Sequence, residues 1–175
     1  MEEQERERER EQELELESSE PILLTKEGYD RLQDELKRLS VVKRAEIAER
    51  LRESKDHGEY SEDNSELDEV KVEQAMVENR INELKQILSN AEILDAKRIP
   101  AKRVGLGSRV TIRETKRRTE FEVRIVASAE ANPDDDLIRE ESPLGQAIMG
   151  KEVDDTVDYE APAGTLRYKI VRIRR

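Results

Sequence analysis

The amino-acid sequence predicts an α+β protein in which an N-terminal antiparallel α-helical coiled-coil hairpin precedes a small antiparallel-sheet domain with one short helix. Two patterns support this fold class. A heptad repeat of apolar residues runs through the middle of the chain, and from Ser108 onward apolar and polar residues alternate as they do in β-strands. The composition agrees, because 43% of the residues are charged and 3% are aromatic, which is too polar for one large core. We therefore expect a tail at 1–20, a hairpin at 21–99 and a C-terminal domain at 100–175.

Residues 1–20 form a low-complexity acidic tail with ten glutamates and three arginines. The tail has no apolar stripe to bury, so we predict that it is disordered or a frayed helix. The rest of the chain is only mildly acidic, and residues 102–175 contain 14 acidic and 15 basic residues. This balance argues against tight, independent DNA binding through a broad basic face. It is compatible with docking on a protein that itself holds nucleic acid.

The first hairpin helix is predicted from about Lys26 to about Ser54, with Thr25 as its N-cap. Gly28 stands where a capping box would have an acid, so the sequence indicates an ordinary cap. Apolar residues then follow a 3-4-3 spacing, at Tyr29, Leu32, Leu36 and Leu39. Beyond Leu39 the steps lengthen to four, through Val42 or Lys43 to Ile47 and Leu51. That drift predicts a local stutter.

The second hairpin helix has the more regular heptad pattern. Seven of its eight seam positions are apolar, and they are Leu67, Val70, Gln74, Val77, Ile81, Leu84, Leu88 and Ala91. Because the matching seam lies in the same chain, the pattern favours an intramolecular hairpin over a dimer, and we expect a monomer. About 28 residues per helix would give a rod roughly 42 Å long.

The connection between the two helices is rich in acids. The stretch from Lys55 to Glu69 contains seven carboxylates, at Asp56, Glu59, Glu62, Asp63, Glu66, Asp68 and Glu69. A structural spacer would account for the seam but not for this connection, since Gly, Asn and Ser close a turn at lower electrostatic cost. Mg²⁺ prefers carboxylate oxygens and keeps several waters, so the connection alone would bind it weakly. With a second protein supplying further ligands, one or two of these carboxylates would complete a two-metal site for phosphoryl chemistry.

The C-terminal domain is predicted to contain two β-hairpins and a short helix. The predicted strands are 109–113, 121–125, 153–159 and 166–173. The turn TKRRT at 115–119 joins the first two strands, and Pro162-Ala163-Gly164 joins the last two. Ser142 followed by Pro143 starts the short helix, and Gly150 follows its end.

Several chemistries are excluded by composition. The sequence has no Cys and one His, His57, so no Ser-His-Asp or Cys-His set is possible. The absence of Cys is compatible with a reducing cytosol. No apolar run approaches the roughly 18 residues of a membrane span, and the first residues are charged, unlike those of a signal peptide. We expect a cytoplasmic protein without a membrane partner, and an isolated, exposed His57 in preference to a metal ligand.

Five segments carry a family resemblance. Residues 24–39, 57–64, 81–95, 105–112 and 142–157 read LTKEGYDRLQDELKRL, HGEYSEDN, INELKQILSNAEILD, GLGSRVTI and SPLGQAIMGKEVDDTV. Together they resemble the GreA/GreB family of bacterial transcript cleavage factors, which bind RNA polymerase. The resemblance implies an FKBP-like C-terminal domain that docks at the mouth of the polymerase secondary channel. It also implies a hairpin that enters this channel and stimulates cleavage of backtracked RNA at its 3′ end.

The same resemblance implies the site residues. The family's hairpin tip is roughly G-D-x-x-E-N. Gly58 matches the Gly, Glu59 stands at the Asp position, Glu62 matches the Glu, and Asn64 matches the Asn if Asp63 is an inserted residue. Alternatively, Asp63 takes the role of the family's Glu. The resemblance thus implies that Glu59, Glu62 and Asp63 act within the polymerase active centre, with Glu59 and Glu62 sharing Mg²⁺ with the polymerase.

Basic residues on the first helix are further candidates. By the resemblance, nascent RNA would be contacted by Lys43, Arg44, Arg50 and Arg52. The alternative is a solvated face with i,i+4 pairs such as Glu46–Arg50.

Three functions remain open at this stage. The first is a cleavage factor without nuclease activity of its own. The second is an inhibitory relative that occupies the same channel without promoting cleavage, as family members with altered tip acids do. The third is a hairpin chaperone or structural spacer that makes no contact with the polymerase.

Overall fold

A computed structural model of the chain describes residues 21–58, 65–161 and 164–175. Its N-terminal half is an antiparallel helical hairpin, as predicted. The outgoing arm consists of helix α1 (Lys26–Arg38), a π-helical segment (Leu39–Lys43) and helix α2 (Arg44–Gly58). The returning arm is a single helix, α3 (Ser65–Ser89). Within the described residues, no helix is both long and apolar enough to cross a membrane.

The π-helical segment lies where the sequence predicts a stutter. A π-helical turn adds a residue to the α-helical ladder and rotates the residues that follow it. Val41 and Val42, inside the segment, are 64% and 52% exposed, whereas Ile47 beyond it is 2% exposed. The extra residue therefore brings the drifting seam back into contact with α3. The outgoing arm ends at Gly58, four residues later than the predicted end at Ser54.

The hairpin core follows the predicted seam over most of its length. Two buried clusters line it, one formed by Leu24, Leu32, Leu84 and Ala127 and the other by Ile47, Val70, Val77 and Ile81. Two predicted seam positions differ: Gln74 is exposed, and Ala91 lies beyond the helix in a strand. Gln74 is polar and gains nothing from burial, so the helices meet through the aliphatic layers on either side of it.

A small parallel pair of strands closes the base of the hairpin. Strand β1 (Ile22–Leu24) precedes α1 and strand β2 (Ala91–Ile93) follows α3, with Ile22 opposite Ala91 and Leu24 opposite Ile93. The side chain of Leu24 is fully buried. Both arms of the hairpin are therefore tied together at the end nearest the C-terminal domain.

The C-terminal domain is a five-stranded sheet with one short helix. The strands are β3 (Arg109–Glu114), β4 (Glu120–Val126), β5 (Leu137–Arg139), β6 (Thr156–Ala161) and β7 (Gly164–Arg174). Their order is β5-β4-β3-β7-β6. Helix α4 (Pro143–Ile148) begins at Ser142, whose hydroxyl accepts a hydrogen bond from the Gly145 amide at 3.0 Å. The α+β fold class is thus confirmed.

Two details of the sheet differ from the sequence prediction. Strand β5 pairs with β4 in parallel, whereas the other neighbouring pairs are antiparallel. A three-residue strand is too short to produce an alternating pattern, so hydrophobic periodicity does not reveal it. Val153 was assigned to a strand, but β6 begins at Thr156 and Val153 is 45% exposed. A single apolar residue before a turn was mistaken for the start of the alternation.

The junction between hairpin and sheet domain centres on one buried carboxylate, that of Glu130. Its two oxygens accept hydrogen bonds from the backbone amide and from the hydroxyl of Thr25, both at 2.6 Å. The Thr25 hydroxyl in turn accepts a hydrogen bond from the Gly28 amide at 3.0 Å, capping α1. In a capping box, an acid three residues after the N-cap would bind the N-cap amide. Here Glu130, from a distant part of the chain, supplies that carboxylate.

Gly28 makes room for this arrangement. A Cβ atom at position 28 would lie 1.7 Å from Oε2 of Glu130, so no larger residue fits while the carboxylate is in place. The guanidinium of Arg31 donates to the main-chain oxygen of Glu130 at 2.7 Å. Glu27 lies beside Arg109 and Arg124 of the sheet. The cap therefore joins the two parts of the molecule, and the sequence prediction of an ordinary cap missed this role.

We expect Glu130→Ala to lower the free energy of unfolding by about 1.5–3 kcal/mol, because it leaves the buried Thr25 amide without its charged acceptor. Urea denaturation measures this loss. Gly28→Ala alone should also destabilise the protein, through its clash with Glu130. In the Glu130→Ala background the same change should stabilise it by up to about 1 kcal/mol, the helix propensity gained over Gly. Equal effects of Gly28→Ala in both backgrounds would contradict this account of the junction.

Candidate functional site at the hairpin end

The candidate site is the connection between the two arms of the hairpin. Helix α2 ends at Gly58 and α3 begins at Ser65. The predicted site acids Glu59, Glu62 and Asp63 lie between these helices and outside the described residues, as does the side chain of His57. Their roles therefore stay predictions, and what the structure defines is the support on which they are carried.

The hairpin is packed close to this connection. Ser54 on α2 is 4% exposed and Val70 on α3 is fully buried. On the outside of α3, Glu66 and Asp68 occupy the first turn and are solvent-exposed, where negative charge interacts favourably with the positive end of the helix dipole. Among the described residues, no three His, Asp or Glu side chains are grouped so that they could hold a metal ion.

Ion pairs across the hairpin hold the two arms in register. The Lys43 ammonium lies 2.6 Å from Glu73 Oε1, and Arg50 contacts the other oxygen of the same carboxylate. Arg44 contacts both oxygens of Glu78, with its Nε 2.7 Å from Oε1. Nearer the base, the guanidinium of Arg80 donates to both carboxylate oxygens of Glu35, at 2.8 and 3.0 Å. The pairs flank the apolar seam, in the manner of charged coiled-coil positions.

The four predicted RNA-facing residues all have acidic neighbours. Lys43, Arg44 and Arg50 are paired with α3 as described, and Arg52 donates to Glu49 on its own helix at 2.8 Å. The pair Glu46–Arg50, suggested by sequence spacing, does not form: Arg50 reaches Glu73, while Glu46 lies 3.7 Å from Lys43. Contact of these residues with RNA stays a prediction.

These contacts shift the pKa values of the paired side chains. The hydrogen bond from Lys43 lowers the pKa of Glu73, and that from Arg44 lowers the pKa of Glu78. Reciprocally, the hydrogen bond to Glu73 raises the pKa of Lys43. Sequence reasoning missed Glu73, Glu78 and Glu35 as partners. Their positions beside the heptad seam were the available signal.

Two family models match the chain. One, described as the N-terminal domain of a transcription elongation factor, matches residues 22–93, and the other, described as the GreA/GreB C-terminal domain, matches residues 99–175. The chain is 44% identical over 157 residues to transcription elongation factor GreA of Caldanaerobacter subterraneus, covering 90% of this chain and 99% of the relative. It is 43% identical over 153 residues to GreA of Clostridioides difficile, covering 87% and 96%.

Solved structures also match. GreA factor homolog 1 (Gfh1) of Thermus thermophilus is 33% identical, with a TM-score of 0.42, covering 89% of this chain and 99% of that chain. A GreA/GreB elongation factor from Nitrosomonas europaea is 21% identical, with a TM-score of 0.40, covering 88% and 99%.

We expect Glu73→Gln to lower the melting temperature by a few degrees near neutral pH, because it removes the charge that binds Lys43 and Arg50. The pKa of Glu73 is lower in the folded protein, so its stabilisation is present above its ordinary pKa of about 4.5 and is lost as the pH falls through the folded value. The variant should therefore show a flatter decline of melting temperature on acidification. Glu69→Gln, one helical turn away and exposed, is the matched control. An equal effect of both variants would contradict the role of Glu73.

Proposed function

The chain belongs to the GreA/GreB family of transcription elongation factors, and on this basis we propose that it binds bacterial RNA polymerase and stimulates cleavage of backtracked RNA. In this proposal the C-terminal domain docks at the mouth of the secondary channel, and the hairpin carries its acidic connection inward to the active centre. The chain is an accessory factor, and the catalytic machinery is that of the polymerase. The nascent RNA 3′ end is contacted only within the complex.

The observation that carries the proposal is a long, internally braced hairpin whose arms end on either side of an acid-rich connection. Helix α3 has 25 residues, which corresponds to about 38 Å at 1.5 Å per residue. The paired strands β1 and β2 and the Thr25–Glu130 contact fix the base of the hairpin. The ion pairs between the arms connect the two helices along their length. Such a rod delivers carboxylates to a point that the sheet domain itself does not reach.

The donor set fits the metal that the family implies. Carboxylates are hard oxygen ligands of the kind that Mg²⁺ takes, and the ion usually keeps several waters. Glu59 and Glu62 would hold the ion together with the polymerase, and Asp63 would be a supplementary acid. When bound, Mg²⁺ activates water and stabilises the leaving oxygen in phosphoryl chemistry. The part of this chain is to bring the carboxylates to the active centre and to fix their distance from the docked domain.

An inhibitory function is the second candidate, and one observation favours it. The tip departs from the family's G-D-x-x-E-N pattern, because Glu59 replaces the Asp with a side chain one methylene longer and Asp63 adds an acid. A displaced carboxylate would occupy the channel without completing the site. The two candidates make opposite predictions for a stalled elongation complex.

We expect Glu59→Gln with Glu62→Gln to reduce RNA cleavage to the polymerase's own background rate, while melting temperature and polymerase binding stay close to wild type. The double change removes two charges from the tip without altering the seam. The measurement is release of 3′ RNA fragments from a backtracked complex at several Mg²⁺ concentrations. The control is Glu46→Gln with Glu49→Gln, two changes on helix α2 that have the same spacing and remove the same charge. This control variant should leave cleavage intact.

Three other results would change the assignment. Cleavage at the wild-type rate by the tip variant would show that Glu59 and Glu62 are not the active acids, and Asp63→Asn would be tested next. A wild-type protein that slows nucleotide addition without any cleavage would identify the inhibitory function. Absence of polymerase binding would leave the structural or chaperone role.

A further inference from the structure

The turn between β3 and β4 concentrates positive charge. It contains Lys116, Arg117 and Arg118 in succession, all solvent-exposed. Arg117 lies 4.0 Å from Glu114 and its side chain is 81% exposed. In the part of the chain that the structure describes, Lys116 and Arg118 have no acidic partner. We call residues 116–118 the basic turn.

Most cations within the sheet strands differ from the basic turn in being paired, and among the described residues Arg139 and Arg172 are the exceptions. Arg113 contacts Glu120, Arg167 contacts Asp158, and Lys169 lies 2.7 Å from Asp154. At the edge facing the hairpin, Glu27 lies beside both Arg109 and Arg124. Carboxylates therefore accompany six of the eight cations in the described sheet strands. The basic turn differs because only Arg117, of its three consecutive cations, lies near a carboxylate, that of Glu114 at 4.0 Å.

The acidic tail at residues 1–20 carries negative charge complementary to the basic turn and belongs to the same chain. It carries ten glutamates against three arginines, whereas residues 102–175 are nearly balanced. It also precedes residue 22, where the family match begins, so the family's function does not account for it. The negative tail and the positive turn would attract one another over a Debye length, which is roughly 10 Å at 0.1 M ionic strength.

The tail is long enough to reach the basic turn. Chain lengths and the two contacting side chains set an upper limit of about 60 Å between Pro21 and the turn, since Glu27 contacts Arg109 at the start of β3 and the turn follows the end of that strand. Twenty residues span at most about 66 Å when extended, and as a flexible chain they span about 25 Å on average. Tethering of this kind gives effective concentrations in the millimolar range, so a weak contact is sufficient.

We propose that the acidic tail binds the basic turn of its own C-terminal domain. The contact is electrostatic and is broken by salt. It neutralises the uncompensated cations, so that a nucleic-acid phosphate or another polyanion reaches them only by displacing the tail.

Paramagnetic relaxation enhancement tests this contact in the full-length chain. The sequence has no cysteine, so Gln4→Cys provides a single site for a nitroxide label near the far end of the tail. We expect the amide signals of residues 116–118 to be broadened at about 0.02 M salt and restored at about 0.5 M, where the Debye length is about fivefold shorter. Lys116→Gln with Arg117→Gln and Arg118→Gln should abolish the broadening of this turn.

The matched control removes three exposed charges elsewhere, with Lys97→Gln, Lys102→Gln and Arg103→Gln. This variant should keep the broadening of the basic turn, and unchanged amide spectra away from the substitutions would show that both triple variants are folded. The proposal is overturned if the turn signals are not broadened, if the broadening survives the loss of the three turn charges, or if both triple variants lose it equally. None of these readouts depends on polymerase.

Discussion

The position of the hairpin relative to the sheet domain depends on the carboxylate of Glu130. Its two oxygens bind the amide and hydroxyl of Thr25 at the start of α1, and the group is almost completely buried. A buried carboxylate is costly unless its oxygens are hydrogen-bonded, so the packing of this region favours one arrangement of the two parts. In the proposed function, the distance from the docked domain to the active centre is set by that arrangement.

The cations on the outgoing arm of the hairpin form ion pairs with the returning arm, and these pairs affect how the cations would bind RNA. Lys43 and Arg50 share Glu73, and Arg44 is held by Glu78. A phosphate approaching these cations would have to compete with a carboxylate already in contact. Exchange of one anion for another yields less free energy than pairing of a free cation, and such exposed pairs are individually weak. Any contact with RNA would therefore loosen the brace between the arms at the same time.

Local patterns in the sequence predicted most of the fold. The heptads from Leu67 to Leu88 identified the hairpin, and the lengthened steps beyond Leu39 located its π-helical segment. Features that depend on distant residues were not predictable. The partner of the Thr25 cap lies 105 residues away, and β5 is specified by its neighbour β4 more than by its own three residues. The candidate site acids were predicted from a motif, and their roles stay predictions because they lie in a connection that hydrophobic periodicity does not describe.

The Thr25–Glu130 contact also has a consequence for the order of events during synthesis. The N-cap residue of α1 leaves the ribosome 105 residues before its acceptor. At about 5–20 residues per second, the interval is about 5–20 s. During this interval the hairpin has its apolar seam, but the Thr25 amide and hydroxyl lack the carboxylate that binds them. The space beside Gly28 that this carboxylate fills is also empty. The hairpin is therefore completed after translation of β4, and a nascent chain released before residue 130 would keep this end of the rod open to solvent.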